Sequence, residues 1–226
     1  MGPARRSRVN PYPDPVTAVG EPEPEEGLVA PIARGKGGDA LSLAAREIFA
    51  ERGYHGASIR DIAKRAGLSL SALYYWYSSK QELFAALLED SVADYFRTCD
   101  AALQASSAEP AERLAALVRA TVDYRVRHRV ESAIAARELR NLEPVAAERL
   151  HRLRASATEL FQNIIDEGVR TGAFACEHPT DSRRAIQSAC NAIAHWYDPE
   201  GDVPPEELAE RYVSIALRIV NSTGRD

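Results

Sequence analysis

Residues 58–82, SIRDIAKRAGLSLSALYYWYSSKQE, decide the fold of this chain. They read as two short helices joined by a tight turn, with a third helix starting directly after. Ser58 is placed to N-cap the first helix, and Asp61 three positions on completes a capping box. Ile59, Ile62, Ala63 and Ala66 fall at i, i+3, i+4 and i+7, so this helix buries one stripe. Gly67 supplies the left-handed residue that ends it, and Ser69 caps the next helix. There Leu68, Ala72, Leu73, Trp76 and Tyr77 lie on one side, packed against the preceding helix, while Leu70, Ser71, Tyr74 and Tyr75 fall opposite as i, i+4 pairs. Two tyrosines, a serine and a leucine make a face too apolar to be simply solvated. Such a face suits base edges, a thymine methyl and phosphate oxygens in a DNA major groove. Ser79 and Glu82 form a second capping box, and Lys80 in the first turn makes that helix N-terminus an anion site, here for a DNA phosphate.

The longer run from Ala44 to Leu88, AAREIFAERGYHGASIRDIAKRAGLSLSALYYWYSSKQELFAALL, closely resembles the DNA-binding domain of the TetR family of bacterial repressors. The resemblance rests on a helix ending F-x-x-x-G-Y, a Ser cap, I-x-x-I-A-x-x-A-G, and then L-Y-x-x-Y-x-S-K-x-x-L, all in order and spacing. Trp76 stands where the family usually has histidine, and it is expected to pack rather than touch DNA. The resemblance implies a homodimer that reads a palindromic operator in double-stranded DNA. Ser58, Arg60, Ser69, Leu70, Ser71, Tyr74, Tyr75 and Lys80 are the expected DNA surface, with Tyr74 and Lys80 on phosphates and Leu70, Ser71 and Tyr75 on bases.

Composition bounds this reading. The 226 residues are 45% apolar, enough for a real core, and carry a net charge of −5. That acidity conceals a local excess: from Arg46 to Lys80 six basic residues face three acidic ones, Glu47, Glu51 and Asp61. Cys99, Cys176 and Cys190 are far apart and show no metal or redox spacing, so they read as packing residues in a reduced compartment. An N-terminus without an apolar run, and no segment long enough to span a bilayer, point to a soluble cytoplasmic protein with no membrane association. Nucleophile-elbow, Walker, dinucleotide and zinc-protease motifs are absent, and the five histidines are isolated, so neither an enzyme nor a bound cofactor is expected.

The fold class read here is all-α: an N-terminal three-helix helix-turn-helix domain followed by a C-terminal helical ligand-binding and dimerisation domain. Residues 1–38 hold seven prolines and no apolar period, which reads first as a disordered, uncommitted arm, with contact of Arg5, Arg6 and Arg8 to a minor groove or phosphates as the alternative. The DNA-binding domain is placed at 39–98. Leu41, Ala44, Ala45, Ile48 and Phe49 form its first helix, stopped by Gly53. The second domain, 99–226, shows recurring helical stripes, among them Leu114, Leu117, Val118 and Thr121, then Leu150, Leu153, Ala157, Leu160 and Phe161. Breaks fall at Pro110, Pro144, Gly172, Pro179 and Pro204-Pro205. The strand-like alternation from Tyr124 to Val130 is flanked by helix on both sides and is taken as helix.

A finer resemblance lies in Glu138-Leu139-Arg140-Asn141-Leu142-Glu143-Pro144 and in Ala194-His195-Trp196-Tyr197-Asp198-Pro199-Glu200-Gly201. Both are similar to a subgroup of TetR regulators responding to CoA thioesters of fatty or sterol-derived acids. Asp198 and Glu200 replace a basic residue and a glycine there, and acids beside a pyrophosphate are unfavourable. The resemblance implies a small-molecule effector, an acyl-CoA first, and dimerisation through the last two long helices, roughly 179–197 and 204–222. Arg127, His128, Arg137 and Arg140, with Arg125 and Arg129 beside them, are either the phosphate cations or a solvated helix face. Trp196 and Tyr197 are placed on the adenine, with the dimer core as the alternative for Trp196, and Tyr124 and Phe161 along the acyl slot. Three alternatives stand beside this: a repressor answering to another hydrophobic molecule such as a drug, one controlled by a partner protein, and a helical acyl-CoA-binding protein that does not act on DNA.

Overall fold

A computed structural model describes residues 36–222. The expected N-terminal arm, including Arg5, Arg6 and Arg8, lies outside the described residues. Within them are nine α-helices, α1 Lys36–Gly56, α2 Ile59–Arg65, α3 Leu70–Trp76, α4 Lys80–Gln104, α5 Pro110–Arg127, α6 Arg129–Glu138, α7 Pro144–Thr171, α8 Pro179–Trp196 and α9 Pro205–Ile219. One 3₁₀ turn, Leu139–Asn141, precedes α7, and a lone antiparallel bridge joins Phe174 to Ser222. The all-α reading holds.

Local chemistry sets most of these boundaries. Proline, which lacks an N–H and presets φ, opens α5, α7, α8 and α9 at Pro110, Pro144, Pro179 and Pro205. Gly53 interrupts α1 at φ 66° and ψ 177°, a conformation open essentially to glycine alone, so the helix breaks where expected and only a short turn continues to Gly56. At the end of α2 the Gly67 N–H donates to Lys64 O (3.1 Å) and the Leu68 N–H to Ala63 O (2.9 Å), a Schellman closure with Gly67 at φ 68°. The alternation from Tyr124 to Val130 is helix, broken only at His128, where α5 hands over to α6.

Two buried clusters result. One gathers Leu41, Ile48, Phe49, Ile62, Leu73 and Tyr77 of the first three helices and their turns with Leu83, Phe84, Leu87 and Leu88 of α4, and it also takes in Ile134, Leu142, Ala146 and Leu150. The other begins at Tyr95 and Cys99 of α4 and continues through α5, α7, α8 and α9. The expected division at residue 98 therefore falls inside an unbroken α4, and α6 with the start of α7 packs on the N-terminal helices. Phe161 is fully buried in the second cluster. Replacing it with alanine should lower unfolding free energy by about 3–5 kcal/mol. Denaturant unfolding checks this, and a loss below about 1 kcal/mol would remove Phe161 from the core.

Candidate DNA interface and effector cavity

The helix-turn-helix is built from three serine caps. Ser58 Oγ accepts from Asp61 N–H (3.1 Å), Ser69 Oγ from Ala72 N–H (3.0 Å) and Ser79 Oγ from Glu82 N–H (3.1 Å). Each expected capping box is only half formed. The Asp61 carboxylate accepts from Arg52 instead (2.8 Å), and Glu82 takes the N–H and hydroxyl of Ser78 rather than the N–H of Ser79.

The outward face of α3 carries Ser71, Tyr74 and Tyr75, the last 81% exposed. Ser58, Arg60 and Ser69 are exposed beside it. Three expectations change. Leu70 is half-buried and packs on the first core cluster, because it sits in the opening turn of α3 where the chain leaves α2. Trp76, expected inside, is 43% exposed and meets Tyr75 edge-to-face at 5.1 Å. Tyr77 beyond it has left the helix (φ −137°, ψ 120°), and this extended residue turns inward in its place. Lys80 does not present its charge as a free anion site. Its Nζ donates to Tyr54 O (2.8 Å) and Ala57 O (3.0 Å) and lies 4.3 Å from the Tyr54 ring centroid, pinning the end of α1 to the start of α4.

The local excess of positive charge is largely committed. Arg65 pairs with Glu47 (2.9 Å) and with both oxygens of Glu51, whose carboxyl pKa is lowered first by that hydrogen bond. Arg52 is held by Asp61, and Arg46 by Glu131 of α6 (3.1 Å). Of the six basic residues, Arg60 and Lys64 are exposed and carry no ion pair among the described residues. Lys64 joins the candidate surface on this ground.

A polar seam ties this unit to the second one. Glu138 accepts from the Tyr54 N–H (3.2 Å), Asn141 Oδ1 meets His55 Nε2 (3.0 Å), and Gln81 donates to Asn141 O. Arg149 of α7 pairs with Glu89 of α4 at 3.0 Å, both side chains mostly buried.

Residues of α4, α5, α6, α7 and α8 line a partly open cavity of about 100 Å³. Leu88, Val92, Ala135, Leu150 and Ala157 give it an apolar floor, and Tyr95 and Tyr124 an aromatic wall. Of the eight residues expected to hold a ligand, Tyr124 alone lines this cavity. Its hydroxyl donates to Ser91 O (2.7 Å) and its ring stacks on His128. Arg127 points outward and pairs with Asp123 at 2.8 Å, and Arg140 is exposed. Arg137 lines a separate groove between α1, α6 and α8. Phe161 is core. Trp196 is 54% exposed at the end of α8, and buried Tyr197 donates its hydroxyl to Val203 O (2.9 Å). Arg125 and Arg154 are the cations that do reach the cavity. The signal for them was periodic: the α5 stripe of Leu114, Leu117, Val118 and Thr121 extends to Tyr124 and Arg125, not to Arg127. In α7 the stripe from Leu150 to Ala157 passes through Arg154 as well as Leu153, and Leu153 proves exposed.

Tyr74→Ala should weaken DNA binding without lowering thermal stability, whereas Lys80→Met, which strands two carbonyls, should cost about 1–2 kcal/mol of stability. Anisotropy and thermal unfolding measured on both variants check the pair. Intact DNA affinity in the first, or undiminished stability in the second, would reverse the corresponding assignment.

Comparison with known proteins follows this division of the chain. Residues 42–87 match the model for bacterial regulatory proteins of the tetR family, and residues 107–220 match the tetracyclin repressor-like C-terminal domain. The HTH-type transcriptional repressor KstR2 of Rhodococcus jostii is 30% identical over 187 residues, covering 81% of this chain and 90% of that protein. A tetR-family regulatory protein from Rhodococcus RHA1 superposes with a TM-score of 0.73 at 28% identity, over 84% of this chain and all of that one. The ketosteroid transcriptional regulator KstR2 of Mycobacterium tuberculosis superposes with a TM-score of 0.73 at 25% identity, over 88% and 100%. With both halves matched and the reading face of α3 exposed, this chain belongs to the TetR family of bacterial transcriptional regulators.

Proposed function

We propose that the protein is a homodimeric repressor that holds a two-fold symmetric operator through α2 and α3 and releases it when a small molecule occupies the cavity of the second unit. The observation that carries this is the exposed Ser71, Tyr74 and Tyr75 face on a helix whose opposite side buries Leu73 in the core. Arg60, Lys64 and Ser58 beside it serve phosphates, and Tyr75 and Ser71 reach base edges. Trp76 extends this face.

A seven-residue helix spans too few base pairs for useful specificity, so two copies are needed. Pairing through α8 and α9 is supported by their outward faces. Ala185, Ser188 and Ala192 are small and exposed on α8, Trp196 caps its end, and Ile215 is 45% exposed on α9. Repression is supported by the KstR2 relatives, which carry that description. Release follows mass action: an effector that binds a splayed dimer better than the DNA-competent one costs the two α3 helices their spacing of about 34 Å.

A CoA thioester from lipid or sterol breakdown, or the acid it carries, is the first effector class to test; the ketosteroid regulator among the relatives supports the sterol-derived part of that reading. A cavity of about 100 Å³ is well below the roughly 300–1,000 Å³ that encloses a drug-sized ligand, so a thioester would keep its nucleotide outside.

Selection from a pool of random duplexes should enrich a palindrome with half-sites about one helical turn apart. Adding an acyl-CoA panel to the selected duplex then reports release. Enrichment of a single asymmetric half-site would remove the dimer from the proposal, and no enrichment would remove the repressor.

A further inference from the structure

The electrostatics of the cavity are unbalanced. Arg125 of α5 is fixed by neutral partners, donating from Nε to Asn191 Oδ1 (3.0 Å) and from an Nη to Ser132 Oγ (3.2 Å), with its guanidinium 4.5 Å from the Tyr95 ring centroid. Arg154 of α7 lines the same space. Among the described residues neither guanidinium has a carboxylate within ion-pair distance. Glu131, the acid in the cavity wall, is engaged by Arg46 of α1. More than a third of the Arg154 surface stays accessible, yet burial and then the charge of Arg125 lower its pKa. Two like charges facing one partly desolvated space are unfavourable unless something anionic joins them.

We infer that the cavity is a receptor for a compact carboxylate, gripped between the guanidinium groups of Arg125 and Arg154, and that it takes the free acid rather than the CoA thioester. The inference rests on the assignment of this cavity as the effector site. Arg125 is already oriented, so little side-chain freedom remains to be lost on binding. Planar guanidinium groups match a carboxylate's two oxygens. Thr158 and Gln187 in the wall supply further hydrogen-bonding groups, and the floor from Leu88 to Ala157 accepts a short apolar body. A volume of about 100 Å³ is smaller than the cavity of about 150 Å³ that holds benzene, so it suits a short aliphatic acid rather than an aromatic one.

The test is calorimetry and thermal unfolding of the full chain with propionate and isobutyrate, each against its uncharged amide and its CoA thioester. The acids should bind at least tenfold tighter than the amides and the thioesters and raise Tm with concentration. Arg125→Met and Arg154→Met should each abolish that difference. Without ligand, Arg154→Met should leave Tm unchanged or raised, because it removes half of a like-charged pair. Acids no tighter than amides, thioesters tighter than acids, or a fall in Tm beyond about 4 °C for Arg154→Met would overturn the carboxylate receptor. Operator binding by the same preparation separates the two readings: DNA binding without acid binding discards the receptor and keeps the repressor, and the reverse keeps the receptor and discards the repressor.

Discussion

One unbroken helix joins the two halves of this molecule, and the rest depends on it. Helix α4 runs 25 residues, about 37 Å, and contributes to both cores. Leu83, Phe84, Leu87 and Leu88 are buried among the DNA-reading helices, and Tyr95, Cys99 and Leu103 among the helices of the second unit. A helix so packed at both ends is the continuous element through which the proposed release would carry a displacement of the second core to the first. Lys80 fixes the leading end by gripping carbonyls at the end of α1, and the seam from Glu131, Glu138 and Asn141 adds a second tie through α6.

Charge is distributed accordingly. Most arginines of the helix-turn-helix hold its own helices together or reach across to α6, leaving Arg60 and Lys64 for solvent. The face offered by α3 is aromatic and hydroxylic rather than basic. Under the proposed function, sequence discrimination on such a face comes from shape and base-edge contacts, with few free cations for counterion release. The second unit reverses this pattern, with two guanidinium groups turned inward and its acid committed elsewhere.

Much of this was legible in the residues, and the parts that were not share a cause. Caps and breaks obey rules confined to three or four neighbours, so Ser58, Ser69, Ser79, Gly67 and the helix-opening prolines could be placed without a structure. Side-chain direction near a helix end depends on the residue where the helix stops. Trp76 and Tyr77 were both placed inside because α3 was extended one residue too far, and the extended backbone at Tyr77 turns one in and leaves the other out. Lys80 was assigned from its own helix terminus, whereas its partners come from a turn more than twenty residues earlier. The cavity was hardest, since five helices line it and none announces it alone. The arginine-rich cluster contains Arg125 together with Arg127 and Arg140, and helical phase, not clustering, separates Arg125 from them and adds Arg154.

The measurement that bears most directly on the account is the distance between two spin labels, one per protomer, at Leu43 on the exposed surface of α1. Cys99 and Cys190 are buried, and half-buried Cys176 would be replaced by serine. A dimer clamped on operator DNA gives a single narrow distance that shifts or broadens when effector releases the duplex. Absence of any dipolar coupling, or a distance unchanged between the DNA-bound and released states, would contradict it.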